Sequence, residues 1–590
     1  MASAARPEDF FRDAEAARPL DESHGLAALR RAHDLELNFQ VAEARAALGA
    51  AHLPDAPFRR VAALLEARMA VREATPATLA RALDALDELL ATLPAEESAT
   101  RARAQHLRAT AMVRLGRLEE AEAALSEAIA LLDSTLDAIA FVRIADTLAQ
   151  VLIGQGAWVE AARSLTALVE KRKAMNDPIG VAISAGHLVR LHTSLGRAEE
   201  AASLAEEVLA SLDASAPALT RLRMHTLLVT ALVEMPDDPR LVAASERLEA
   251  LAKTVESDTH YLRGYACLTL ARAHAILKKD PRRWLDEAAT QLTLPAHVSL
   301  LRYHAARIHP SELLAEDWLS SQEQLWAQVQ FVSEAEIESR LLHARAATSS
   351  AELRRRLEAA YDRAITSNNA LWMRWLDEAA SELDPLLFSE RIARRYSGRA
   401  RAELMKTARE EATIIFADLV GFTPRSLVLP PEEVMDTVRG LFELGVPLLA
   451  KYKVQPLTYM GDGLLAIAQG PEHERRGLAF ARELVARTGR VTRVREVLGS
   501  GLPLQLRAGV ASGTVVLGSL GSLFKTEFAA IGATTNLAAR LQAKAEPGEV
   551  VCARKTAIAA CAADAKDETF ELKGYEGREP VEASRIVVSA

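Results

Sequence analysis

Residues 457–466 read LTYMGDGLLA, two apolar runs around a Gly-Asp-Gly tip. The pattern predicts a β-hairpin, because glycine supplies the turn and the flanking runs supply strands. Asp462, at the tip, has two readings. A short acid at a turn is common and then does no more than satisfy local backbone. A second acid, however, ends another apolar run: in ATIIFADL, Asp418 stands 44 positions earlier, where a carboxylate contributes nothing to burial. If the two runs pair antiparallel, both acids reach one edge of a sheet. Two neighbouring carboxylates repel unless cations neutralise them. Magnesium prefers one or two carboxylates completed by substrate phosphates.

Outward from the hairpin, residues 412–590 alternate strand and helix patterns. ATIIFADL is β-rich, and PPEEVMDTVRGLFELGVPLLAKY opens on prolines and acids before turning helical. VQPLTYM and LLAIAQ flank the Gly-Asp-Gly tip, and EHERRGLAFARELVARTGRVTRV is helical. LQLRAGVASGTVVLGSLG reads as strand, turn, strand, with Gly509, Gly513, Gly518 and Gly521 marking bulges or close strand approaches. TTNLAARLQAKA is helical, GEVVCA a strand, RKTAIAAC a helix and ETFELKG a strand. The order β-α-β-β-α-β with additions predicts an α+β, ferredoxin-like core.

Five strings occur in order: FADLVGFT, MGDGLLA, LRAGVASGTVVLGSLG, IGATTNLAARLQ and FELKG. Together they resemble the class III nucleotidyl cyclase catalytic domain, the family that makes cyclic AMP or cyclic GMP, over about residues 410–587. The resemblance implies that Asp418 and Asp462 bind two Mg²⁺ or Mn²⁺ ions. It implies that Gly421, Phe422 and Thr423 form the phosphate-cradling turn, that Asn536 orients the ribose, and that Arg540 stabilises the α-phosphate transition state. Lys573 would reach the outer phosphates. Positions 536 and 540 share a helix face, and a guanidinium suits charge growing on planar phosphoryl oxygens. The family draws the metal half and the Asn/Arg half from different subunits, so the resemblance also implies a homodimer. Read without the family, Asn536 is a helix-start residue, Arg540 a surface arginine and Lys573 a solvated lysine.

Two positions depart from the family. Its base-selecting lysine or glutamate falls on Thr458, and that residue's partner, commonly Asp or Thr, falls on Ala529. Threonine offers one hydrogen-bonding hydroxyl and alanine none. Lys453 is no substitute, since an odd offset along a strand places it on the opposite face. ATP is the expected substrate, with GTP or relaxed specificity as the alternative. A catalytically degenerate dimerisation or sensing module is a reading of another class.

The preceding two-thirds follows different rules. LGRLEEAEAAL from Leu115, QGAWVEAARSL from Gln155 and LGRAEEAASLA from Leu195 repeat every forty residues, aligning Gly116, Gly156 and Gly196 and the pairs Glu120-Ala121, Glu160-Ala161 and Glu200-Ala201. The glycine ends a helix where a left-handed backbone is needed, and the alanine admits the next helix closely. The same spacing lands on Pro76 and Pro236, read as turn formers. This resembles tetratricopeptide repeats with helices longer than the usual unit, and implies an all-α solenoid whose concave surface takes a protein or peptide partner. Residues 278–292, KKDPRRWLDEAATQL, and 349–364, SSAELRRRLEAAYDRA, read as irregular further units. The expected organisation is an N-terminal helical segment (1–35), repeats (36–387), a basic linker helix broken at Ser397-Gly398 (388–410) and the cyclase-like domain (411–590).

The totals agree with a multidomain chain. At 590 residues one core is not enough. Apolar residues make up 49% and charged residues 26%, which is ordinary globular composition, and 5% aromatics with abundant alanine favour packed helices. A formal net charge of -9 argues against a dedicated nucleic-acid binder. Cys267, Cys552 and Cys561 are scattered, with no zinc spacing, and suit a reducing cytoplasm. No HxxxH or HxH spacing occurs, and His187 and His192 read as ordinary helix residues. The N-terminus has acids where a signal peptide needs an apolar core, and no apolar run is long enough to span a membrane.

Overall fold

The structure, a computed structural model, describes residues 26–37, 41–49, 56–73, 75–132, 137–213, 216–255, 260–314, 318–328, 334–367, 370–397, 408–422, 429–499, 504–522, 525–572 and 579–588. The chain divides into two compact units, residues 1–155 with 161–367, and residues 156–160 with 368–590. Lys573, Thr423, most of the N-terminal segment and residues 398–407 of the linker lie outside the described residues.

The first unit is a run of helices. It opens with α1 (Leu26–Leu37), α2 (Val41–Gly49), α3 (Ala56–Glu73) and α4 (Pro76–Thr92). The hairpins follow as α5/α6 (Ser98–Arg114, Leu118–Leu131), α7/α8 (Ala138–Gly154, Trp158–Ala174), α9/α10 (Pro178–Ser194, Ala198–Ser211), α11/α12 (Ala218–Leu232, Arg240–Thr254) and α13/α14 (His260–Ile276, Arg282–Gln291). Helices α15 (Pro295–Ile308), α16 (Trp318–Trp326), α17 (Glu334–Arg345) and α18 (Ser350–Ser367) complete it. Gly116, Gly156 and Gly196 have φ of 75°, 79° and 74°, the left-handed turn their spacing predicts. Past the regular repeats Lys278 adopts the same conformation at φ 56°, which explains why the glycine signal fades while the hairpin persists. Ala121, Ala161 and Ala201 are fully buried, as close helix approach requires. First helices pack on first helices, α5 on α7, α9 on α11, α11 on α13 and α13 on α15. Neighbouring hairpins thus bury a shared apolar core that no single hairpin could close.

Pro76 differs from its reading as a turn former. It is the first residue of α4, behind Thr75, whose hydroxyl accepts from the Thr78 N–H at 3.1 Å in a capping box. Proline fits there because the N–H it lacks would have no helical partner.

In the second unit, α19 (Ala370–Leu383) and α20 (Pro385–Ser397) precede the sheet. The order is then β1 (Ala408–Leu419), α21 (Pro431–Lys451), β2 (Val454–Met460), β3 (Gly463–Gln469), α22 (His473–Leu498), β4 (Leu506–Ser522), β5 (Lys525–Ile531), α23 (Ala533–Gln542), β6 (Glu549–Ala553), α24 (Arg554–Ala559), β7 (Lys566–Phe570) and β8 (Val581–Val587). The sheet runs β2-β3-β1-β4-β6-β8-β7, with β5 on the far end of β4. Each neighbouring pair among its first four strands is antiparallel, the ferredoxin-like arrangement. Alternation on β1 sends Thr413, Ile415 and Ala417 towards α21 and α22. It sends Ala412, Ile414 and Phe416 into the core that holds Ala538 and Leu541 of α23.

Three details depart from the sequence reading. Residues 506–522 form one strand rather than strand, turn, strand. On its far side β4 passes from β6, beside Ala508–Val510, to β5, beside Val516–Ser522. The glycine-rich middle marks that change of partner. Gly509 is a close approach of a helix, not of a strand: a Cβ there would lie 2.2 Å from both Ala538 O and Gln542 N of α23. In β2 the register shifts between Pro456 and Thr458, and Lys453 precedes the strand at φ 50°, so simple alternation does not relate Lys453 to Thr458. Pro456 is tolerated because β2 is an edge strand.

Candidate active site

Asp418 ends β1, and its register partners are Gly463 on β3 and Arg507 on β4. Asp462 sits one residue before that Gly463, after Gly461 at φ 62°. The β1–β3 pairing therefore carries both acids to one sheet edge, as the two apolar runs predict. A Cβ at 463 would stand 3.3 Å from Ala417 O and 3.5 Å from Asp418 Oδ1. Glycine there leaves the Asp418 carboxylate its room.

The two carboxylates act on one another. Desolvation and then the charge of Asp418 push the Asp462 carboxyl above the usual range, against a smaller opposite pull from Arg507. Two groups partly offset the negative charge of Asp418. Gln542, at the end of α23, donates from Nε2 to Asp418 Oδ2 at 3.2 Å, and Arg507 Nη2 stands 3.7 Å from the same oxygen. Neither was among the sequence candidates. Arg507 is the cross-strand neighbour of Asp418, so correct strand pairing would have found it. Gln542 is placed by tertiary packing alone.

The donor set fits a hard divalent cation. Oxygen donors are concentrated on one edge, and their repulsion is the cost that bound positive charge removes. Among the described residues no group of three or more His, Cys, Asp or Glu side chains could hold a metal. An ion held by this pair would need further oxygen donors, such as backbone carbonyls, water or the phosphate oxygens of a substrate.

Past Asp418 the chain turns at Gly421, exposed and at φ 69°, with Phe422 half-buried behind it. Helix α23 buries Thr534, Ala538 and Leu541 and leaves Asn536 and Arg540 exposed. Its capping turn is held by Thr535, which donates to Ala530 O at 3.0 Å, and by Thr534, which donates to Thr514 O at 3.0 Å. The structure thus joins Asp418 and Asp462 but turns Asn536 and Arg540 away from the sheet of their own chain. Thr458 pairs with Leu465 of β3, on the sheet face that α23 covers, while its neighbour Tyr459 packs on Phe442 of α21 with ring centroids 4.2 Å apart. Ala529 pairs with Gly518, and β5 lies against β2. The two departing positions stand on adjacent elements.

Residues 404–583 match the family described as Adenylate and Guanylate cyclase catalytic domain. The C-terminal part of this chain carries a class III adenylate/guanylate cyclase catalytic domain, and a helical-repeat solenoid precedes it. An uncharacterized protein of Mycobacterium tuberculosis is 30% identical over 203 residues, 32% of this chain and 34% of that protein. Adenylate cyclase 1 of Rhizobium meliloti is 31% identical over 162 residues, 26% of this chain and 24% of that protein. The matched stretch thus spans about a third or less of the length of these relatives. Among solved structures, the guanylyl cyclase Cya2 is 28% identical over 32% of this chain and 96% of its own, at a TM-score of 0.29. The adenylyl cyclase CyaB from P. aeruginosa is 22% identical over 32% and 98%, at 0.30. Among the described residues no helix is long and apolar enough to cross a membrane.

Proposed function

We propose that the chain is a nucleotidyl cyclase that converts ATP to cyclic AMP and pyrophosphate at sites shared by two copies of itself. The single observation that carries this reading is the acid pair at the β1–β3 edge, where Asp462 is raised by burial and by Asp418. A protein gains nothing from such a pair unless positive charge visits it.

Asp418 and Asp462 would hold Mg²⁺ or Mn²⁺, two ions with the nucleotide bound. Such ions shield the phosphate charge that develops as the ribose 3′-oxygen joins the α-phosphorus and pyrophosphate departs. The remaining work falls to the chain. The turn at Gly421, Phe422 and Thr423 approaches the phosphates through backbone, Asn536 orients the ribose, Arg540 meets the α-phosphate, and Lys573 reaches the outer phosphates. The outward attitude of Asn536 and Arg540 on α23 supports their service in the partner copy's site. Catalysis on this plan is positioning and electrostatics. The helical repeats act as the regulatory, protein-binding part, with boundaries at 36–387, 388–410 and 411–590, and the enzyme works in the cytoplasm.

A second reading is favoured by Thr458 and Ala529, which give the base at most one hydrogen-bonding group. On it, GTP is used as well as ATP. A domain that binds without turnover is the remaining alternative.

Complementation tests the shared site. Asp462→Asn and Arg540→Ala chains should each be inactive alone. Mixed in equal amounts, half the dimers are mixed and each has one intact site, so about a quarter of wild-type turnover should return. No recovery, with mixed dimers shown to form, overturns the shared site. No turnover by the wild type with Mn²⁺ and either nucleotide overturns the enzyme.

A further inference from the structure

Asp418 presents its two carboxylate oxygens to different neighbours. Oδ1 lies on the side of the Asp462 turn, where a Cβ at Gly463 would stand 3.5 Å from it. Oδ2 lies on the side of α23, where it accepts from Gln542 Nε2 at 3.2 Å and stands 3.7 Å from Arg507 Nη2. The last torsion of an aspartate is soft. What one oxygen bonds therefore decides where the other one points.

The reach of Gln542 is built into the backbone. On β4, Gly509 stands two residues from Arg507, opposite Phe416 as Arg507 is opposite Asp418. A Cβ at Gly509 would come within 2.2 Å of Gln542 N and 2.6 Å of Gln542 Cα. The last turn of α23 thus rests directly on β4, beside the end of β1. The other end of the helix is fixed to the same strand, because Thr534 donates to Thr514 O at 3.0 Å. A helix held at both ends delivers residue 542 to Asp418. Residue type matters as well. A side-chain amide donates a hydrogen bond but carries no charge, so it holds the carboxylate without taking the place of a cation, as an ammonium there would.

Gln542 also faces differently from the other candidates on its helix. Asn536 and Arg540 are exposed, whereas Gln542 is half-buried against its own sheet. Two positions along a helix turn the side chain by about 200°, which separates Gln542 from Arg540.

We propose that Gln542 is a positioning residue of the metal edge: it holds Asp418 by Oδ2 and so keeps Oδ1 turned towards Asp462, where a divalent cation can be shared. This role rests on the cyclase reading above and extends it. One helix then serves two sites, with Gln542 acting in its own chain's site and Asn536 and Arg540 in the partner copy's. Hydrogen bonds to a ligating carboxylate typically govern metal affinity by about 10–100-fold.

The test measures Mn²⁺ binding to the full chain by electron paramagnetic resonance of the free ion, with a non-cyclisable ATP analogue present. Gln542→Met keeps the length of the side chain but loses the donor. It should bind Mn²⁺ about 10–100-fold more weakly than wild type, while melting within about 4 °C of wild type in EDTA, the loss of one hydrogen bond. A second measurement uses the mixed dimers of Asp462→Asn and Arg540→Ala chains, which have one intact site. Added to the Arg540→Ala chain, whose Asp418 serves that site, Gln542→Met should raise the Mn²⁺ concentration for half-maximal turnover by about tenfold or more. Added to the Asp462→Asn chain, whose α23 serves that site, it should not shift that concentration. An equal rise from either chain makes Gln542 a mere seat for the helix and overturns the role. Mn²⁺ binding as tight in Gln542→Met as in wild type overturns it too, and this arm decides without any turnover. A wild type that binds no Mn²⁺ beside the analogue overturns the cyclase reading itself.

Discussion

Replacing Asp462 by asparagine separates the stability of the acid pair from its chemistry. In the metal-free protein the Asp462 carboxyl is raised by desolvation and by the charge of Asp418. Unit charges 4 Å apart repel by about 1 kcal/mol in water-like surroundings and about 4 kcal/mol at an effective dielectric of 20. The Asp418 side chain is 33% exposed and Asp462 is half-buried. Screening therefore places the relief near the lower figure, about 1 kcal/mol. For a domain of this size that corresponds to a rise of about 2–4 °C in the melting temperature of the cyclase domain. Asp462 is the better target because Asp418 already engages Gln542 and Arg507. The sign with pH follows. A carboxyl raised in the folded state binds protons more readily folded than unfolded, so its contribution to stability is present in acid and is lost as pH rises through the carboxylate range. The gap between Asp462→Asn and wild type should therefore be small in acid and open towards neutrality. Differential scanning fluorimetry in EDTA across pH reads this. With Mn²⁺ and ATP the order reverses, since wild type gains bound ligand while turnover of the variant falls by at least about a hundredfold. A variant that melts lower than wild type in EDTA at neutral pH, or that keeps its turnover, refutes the reasoning.

Gly509→Ala places a Cβ 2.2 Å from two backbone atoms of α23. Neither can yield without moving the helix, so a loss of about 1–3 kcal/mol or more is expected, read as a lower melting temperature together with reduced activity. Arg540→Ala should leave the melting temperature within about 1–2 °C, because the side chain is exposed, yet lower kcat by about 10²–10³-fold. Thr458→Lys with Ala529→Asp should increase the ratio of ATP to GTP turnover by about tenfold or more, measured with each nucleotide separately. Asp146→Ala leaves the buried Arg172 with Asp177 as its remaining carboxylate and Ser184 without its acceptor, and should cost the repeat unit about 1–3 kcal/mol, seen as faster amide exchange in α7 and α9.

The sequence carried the hairpins of the first unit because their punctuation is local. A glycine at φ near 75° and a fully buried alanine recur wherever two helices must turn and touch. It carried the acid edge for a related reason: an aspartate that ends an apolar strand run has no packing purpose. The neighbours of Asp418 were less visible. Arg507 follows only once β4 is paired with β1, and Gln542 only once α23 is seated on Gly509. The long strand β4 was misread because glycines inside a strand look the same whether the chain turns or changes partner. Pro76 was misread because proline serves a turn and a helix start equally well.

The edge strand β2 also bears on how copies of this chain can meet. Pro456 brings no N–H donor to this strand, and the register shifts beside it. Such an edge disfavours prolongation of the sheet by a second molecule's main chain, and with it fibril growth, in favour of association through side-chain surfaces.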